Sequence, residues 1–197
     1  MLRLRTLSWV PGAILASLLL AAPTRASILQ DLDLDELVGE AEQILLGEVV
    51  FTESFHRPNG NLGTWHRSVI EQDLGGGAAE EREVIVETSG GHLGDLAMRV
   101  EGEPSFTVGE RVVVFVRDGG AYSAFRPVGM GQGVMRVRTE QGVETVTQTR
   151  EGMMLMRRNA RGLLEKSRGA LPDRERLDTF LSRVRSLVEQ RAGGDHE

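Results

Sequence analysis

A near-continuous apolar run, Val112 to Val116, lies between Gly109-Glu110 and Asp118-Gly119-Gly120. A short β-branched and aromatic run between turn residues predicts a buried strand. Asp118-Gly119-Gly120 predicts a tight hairpin, since glycine takes positive φ without steric cost. Ala121 to Val128 is then the returning strand. Gln132 to Arg138 is a third, set off by Gly129, Gly131 and Gly133. A β-meander therefore sits at the centre of the chain.

Around it, the patterning alternates with helical periods. Asp33 to Glu42 reads as a short helix, with Leu34, Leu37, Val38 and Ala41 at i, i+3, i+4, i+7. Asp33 is its expected N-cap and Glu36 completes a capping box. Gln43 to Phe55 is a long strand in which Gly47 marks a bulge or bend. Thr64 to Leu74 alternates His66, Ser68, Ile70 and Gln72 against Trp65, Arg67, Val69 and Glu71. Gly75-Gly76-Gly77 connects it to a strand over Arg82 to Thr88. Ser89 to Asp95 reads as a glycine-rich loop leading into Ala97 to Val100. Val143 to Thr149 is a polar edge strand. Gly152 to Ala170 has no clean period and reads as a broken helix. Pro172 to Arg191 carries a full apolar stripe: Leu177, Phe180, Leu181, Val184, Leu187 and Val188. Pro172-Asp173 is its expected start, and Gly193-Gly194 follows it.

The expected fold class is mainly β: a small curled sheet or OB-like β-barrel, with a short N-terminal helix and a long C-terminal amphipathic helix. Three regions are expected. Residues 1–26 form a secretory signal peptide, 27–149 a β-barrel-like domain, and 150–197 a helical tail packed on it. In the first region, Arg3 and Arg5 make a positive start, Trp9 to Ala22 an apolar stretch, and Thr24-Arg25-Ala26 a small-x-small cleavage site. That stretch falls short of the roughly 20 residues of a comfortable membrane span. The expectation is an exported protein of the periplasm or the extracellular space, with no transmembrane segment after cleavage.

The chain has no cysteine. Its stability has to come from packing, and thiolate metal sites and cysteine nucleophiles are excluded. Charge is uneven along the chain. Residues 27–149 carry a net charge of −12 and residues 150–191 carry +5. The basic tail either lies solvated against the acidic domain or meets an anionic surface. The first reading is preferred, because Glu165, Asp173, Glu175 and Asp178 interrupt the basic residues. An acidic chain without a basic-aromatic face argues against a nucleic-acid partner.

Several short pieces form a recurring pattern: Glu40-Ala41, Ile44 to Val49, Gly90-Gly91, Gly102 to Phe115, and Val128 to Gly133. The fourth reads G-x-P-x-F-x-V-G-E-R-V-V-x-F. In these pieces the chain resembles a group of exported bacterial proteins of similar size and no assigned activity, over Asp33 to Arg138. The early strand and overall size are also similar to the OB-like barrel of netrin-like modules, which include tissue inhibitors of metalloproteinases. Those inhibitors rely on disulfides and an N-terminal cysteine, both missing here. Neither resemblance carries a functional residue to this chain.

Candidate chemistry is sparse. His56 and His66 bracket a loop, but zinc normally takes at least three protein ligands, so they read as surface histidines beside a turn. Met153, Met154 and Met156, with Met130 and Met135, offer soft thioethers for Cu(I). Gap-filling under a docked helix explains them better. Gly129 to Gly133 lacks the lysine and Ser/Thr of a phosphate loop and reads as a turn. Asp31, Asp33 and Asp35 read as helix-start charges. No Gly-x-Ser-x-Gly element is present. No catalytic, cofactor-binding or metal residues are assigned. The expected binding element is the glycine-rich rim, Gly90, Gly91, His92, Gly94 and Asp95.

The leading expectation is a non-enzymatic exported module that binds another envelope or secreted protein. The alternatives are an inhibitor or accessory factor of a secreted protease, by analogy to netrin-like modules, and a metal-binding envelope protein.

Overall fold

A computed structural model describes residues 26–75, 82–119 and 124–194. The expected signal peptide, the rest of the triple-glycine connector and the start of the returning strand, from Gly120 to Ser123, lie outside the described residues.

The chain is mainly β. It opens with strand β1 (Ser27–Gln30) and helix α1 (Leu34–Glu40). Asp33 caps α1: its carboxylate accepts the Glu36 amide at 2.9 Å, and Glu36 returns a bond to the Asp33 amide. Then come β2 (Gln43–His56), β3 (Leu62–Asp73), β4 (Glu83–Ser89), a small hairpin β5 (Gly91–Leu93) and β6 (Leu96–Met98), and β7 (Arg111–Arg117). They are followed by β8 (Arg126–Pro127), a 3-10 turn (Met130–Gly133), β9 (Val134–Glu140) and β10 (Val143–Gln148). The last third holds β11 (Met153–Arg158), β12 (Leu164–Lys166), β13 (Glu175–Arg176) and helix α2 (Leu177–Gly194).

One sheet dominates, in the order β13-β10-β9-β7-β2-β3-β4, with β8 beside the far end of β7. All its named pairings are antiparallel. The β2–β3 ladder shifts register twice: opposite Leu46 and Gly47 the unpaired residue is Glu71 of β3, and the second shift leaves Val50 of β2 unpaired, irregularities that let the sheet curl. The ladder does not close into a barrel. Among the described residues, β4 is met on its far side by an isolated parallel bridge, Val86 to Phe125. There the Glu87 amide donates to Phe125 at 2.7 Å and the Phe125 amide to Ile85 at 2.9 Å.

β7 shows why its sequence is almost unbroken apolar: both of its faces are buried. Val113 and Phe115 point into a core shared with α1, α2, Ile44, Leu46 and Met135. Val112, Val114 and Val116 point into the concave side, with Leu45, Val49, Val84, Val86, Phe106 and Val134. Each such side chain contributes about 1.5–3 kcal/mol of burial. On the helix side, Leu177, Phe180, Leu181 and Val184 are buried, and Phe180 meets Phe115 edge-on, ring centroids 6.3 Å apart.

The tail departs from expectation. Gly152 to Ala170 is not a broken helix, and residues 150–176 are not helical. β11 pairs in parallel with β1, from Ser27–Met153 to Gln30–Met156, and antiparallel with β12. Met and Leu are good helix formers in isolation, but a strand offered by a distant segment overrides that preference. α2 also begins at Leu177 rather than Pro172, because Glu175 and Arg176 extend the sheet against Val146 and Thr145. Asp31 is not a helix-start charge but fully buried. It accepts from the Ser167 hydroxyl and, at 3.2 Å, from the Ala170 amide, so it staples the tail down. Among the described residues, no helix is long and apolar enough to cross a membrane.

Candidate functional site

On β3 the inward face is the polar one. Thr64, His66 and Ser68 are buried, while Arg67 and Val69 are exposed. The same holds across the ladder, where Thr52 and Thr88 flank His66 and the outward row reads Phe51, Arg67, Ile85. Hydropathy alone would orient these strands the other way round. The concave side of the sheet thus has an apolar floor at one end and a hydroxyl-rich wall at the other.

That wall lines a cavity of about 520 Å³. Its hydrogen bonds form two closed sets. His66 Nδ1 bonds Thr52 Oγ1 at 3.1 Å and Nε2 bonds Thr88 Oγ1 at 2.9 Å. Thr64 Oγ1 donates to the Gly90 carbonyl at 2.7 Å and lies 3.0 Å from Ser54 Oγ. Phe106 covers the imidazole, ring centroids 4.6 Å apart. Burial pulls the His66 pKa down to about 4, because a charged ring there would lose its hydration. His66 is therefore a neutral polar wall residue near pH 7. The cavity lining also includes Thr149, whose Oγ1 is a buried hydroxyl with no hydrogen-bond partner among the described residues.

The β5–β6 hairpin roofs this wall. The glycine-rich segment is thus an ordered hairpin rather than a loop. Gly90 and Gly91 have φ of +95° and +139°, which disfavour other residues. A Cβ at Gly91 would run into the hydroxyls of Ser54 and Thr64, so glycine here permits close approach of the hairpin to β2 and β3. The His92 amide donates to Ser54 Oγ at 3.1 Å, tying the roof to the wall. Gly90, Gly91 and His92 line the cavity, whereas Gly94 and Asp95 form the exposed turn of the hairpin and do not. The five expected rim residues therefore split three and two.

The rim is charged but paired. Arg126 bonds Glu103 and Ser89, and Arg136 bonds Glu110 and the Ser105 carbonyl. Behind the wall, Glu87 is 1% exposed and accepts the Arg57 Nε at 2.7 Å.

The other candidates disperse. His66 is not a surface histidine: it is 3% exposed with both ring nitrogens engaged, while His56 is exposed at the end of β2. Among the described residues no group of three or more His, Asp or Glu could hold a metal ion. Strand alternation sends Met153 and Met154 to opposite faces, and Met135 is in the helix-side core. Gln132 of the glycine turn is buried, accepting from the Leu32 amide at 2.9 Å and donating to Gln30 at 3.0 Å. Its role is to fasten β1 to the core. Sequence reasoning missed Thr52, Ser54, Thr64 and Thr88. The available signal was the alternation of β3, which names the two faces without saying which is inside.

The chain matches no known protein-family model, and no curated protein is similar to it in sequence.

Proposed function

We propose that this chain is an exported, non-enzymatic binding module of OB-like build. Its cavity under the β5–β6 hairpin takes a polar segment of another envelope or secreted protein. The pairings support the OB-like part. They run from β7 through β2, β3 and β4 to the Phe125 bridge, then β8 and back to β7, the order of a small, partly open five-stranded ring. The export part rests on the N-terminal pattern of charge, apolar stretch and Thr24-Arg25-Ala26.

The observation that carries the binding role is the wall itself. Nucleophilic catalysis needs a hydroxyl activated by a base that a third group orients. Here the imidazole bonds two threonine hydroxyls and no carboxylate among the described residues, and burial keeps it from protonating. Hydroxyls, a neutral ring and a spare Thr149 Oγ1 instead suit hydrogen bonding to an uncharged polar chain. An aromatic floor at Phe106 adds apolar contact.

The test is site-specific photocrosslinking from His92, whose side chain is exposed at the roof, in cells of the native host. One dominant crosslinked protein is the expected result, lost when Gly91→Val collides with Ser54 and Thr64 and displaces the roof from the wall. Crosslinks that persist unchanged in that variant, or none at all, sink the reading.

A further inference from the structure

Most arginines of the described chain reach a carboxylate, as Arg57, Arg111, Arg136 and Arg174 do. Arg158, Arg161, Lys166 and Arg168 do not: none pairs with a carboxylate among the described residues. Arg158 only donates to the Gly162 carbonyl, at 2.8 Å. All four lie in residues 158–168, the hairpin between β11 and β12 and its exit, which carries a net charge of +3. Its one carboxylate, Glu165, accepts from Asn159 at 3.3 Å.

The same hairpin exposes apolar bulk. Leu163 and Leu164 are 62% and 60% exposed. Leu164 stands opposite Arg158, and alternation places Arg158 on one face with Met156 and Met154. Met154 stands beside Ile28, itself 71% exposed. The other face of this three-stranded sheet turns Leu155 inward, where it is buried. An outward sheet face therefore combines Ile28, Met154, Met156 and Leu164 with Arg158 and Lys166, and the adjoining exposed turn and exit add Leu163, Arg161 and Arg168, on a chain whose residues 27–149 carry −12.

We propose that this face, with the hairpin turn and exit beside it, docks on an anionic phospholipid surface, the leucines entering the headgroup boundary and the four cations meeting lipid phosphates. The charge pattern selects the occupant. Cations near an anionic leaflet are attracted, and the acidic remainder is repelled, which orients the chain with this face down. With no membrane-crossing helix among the described residues, the contact is peripheral and reversible. It shares no residue with the cavity wall.

The test is cosedimentation of the protein, purified from its host as the cell processes it, with vesicles. Pure phosphatidylcholine is compared with phosphatidylcholine and phosphatidylglycerol in equal parts. Binding is expected only with the anionic vesicles, falling as salt rises. Each cation removed costs about fivefold in affinity, so the combined R158Q, R161Q, K166Q and R168Q variant loses more than about a hundredfold. L163S with L164S loses roughly tenfold or more from reduced apolar burial. These positions are exposed, and unchanged thermal unfolding of each variant shows that the fold persists. Equal binding to neutral vesicles, no binding to either, or full binding by the charge variant overturns the proposal. So does an acidic protein that binds the hairpin in place of lipid.

Discussion

β7 divides two regions that obey different rules. On its helix side the core is apolar throughout, with Phe115, Phe180, Leu37 and Val184 almost fully buried. On its concave side the apolar floor gives way to His66, Thr64 and Thr88, buried side chains held by hydrogen bonds among themselves, to the Gly90 carbonyl and to the exposed Thr52 hydroxyl. The first region is tolerant of detail and expensive to hollow out. The second is set by hydrogen-bond geometry and by protonation. A polar interior on an otherwise well-packed sheet is a poor way to gain stability, which is why it is read as a site.

The largest expected effect lies on the helix side. Phe180→Ala should lower unfolding stability by about 4 kcal/mol, through lost burial and the cavity left behind. Urea unfolding checks it, and a loss under about 1 kcal/mol would make α2 a surface layer and dissolve the contrast. The concave side should respond to pH instead. The folded His66 pKa, about 4, lies below its ordinary 6.5. Between those values the unfolded chain takes up a proton that the folded chain refuses, so stability falls as pH drops through that window. The fall should reach roughly 3 kcal/mol. His66→Asn should flatten it, and an unchanged slope in that variant would place the titration elsewhere.

The smallest effect belongs to the seam between α1 and the tail. Asp33→Ala should cost about 1 kcal/mol by removing the helix cap, and it also frees Arg157, which bonds Asp33 and Glu36. The Glu36 amide, aided by Arg157, holds the Asp33 pKa below the usual carboxylate range. Its contribution is present above the ordinary carboxylate pKa and vanishes as pH falls through the lowered one. That window lies below the one assigned to His66, so an acid titration of unfolding in the two variants separates the regions. Coincident titrations would merge them.

Much of the scaffold was readable before any coordinates. The Val112–Val116 run, the register break at Gly47, the Asp33–Glu36 pair and the Leu177–Val184 stripe are local signals, each set by neighbours within a turn or a pleat. The tail misled because Met153 to Arg158 has helix-forming composition, while its strand form depends on Ser27 to Gln30, more than a hundred residues away. The hairpin roof misled because Gly90 and Gly91 signalled freedom, whereas their use is contact with Ser54 and Thr64.

What the sequence by itself determined is the elements of the central sheet and the two helices: which stretches alternate, which are apolar on every side, and which helix carries a stripe. Those follow from backbone geometry and short-range periodicity. What only the tertiary structure decided is which face of β3 turns inward, and with it the existence of the cavity. Alternation supplies two equivalent faces, and the choice between them is made by the curl of the sheet and by hydroxyls arriving from β2 and β4 to meet the His66 imidazole of β3. Those partnerships join residues distant in sequence, so no local pattern encodes them.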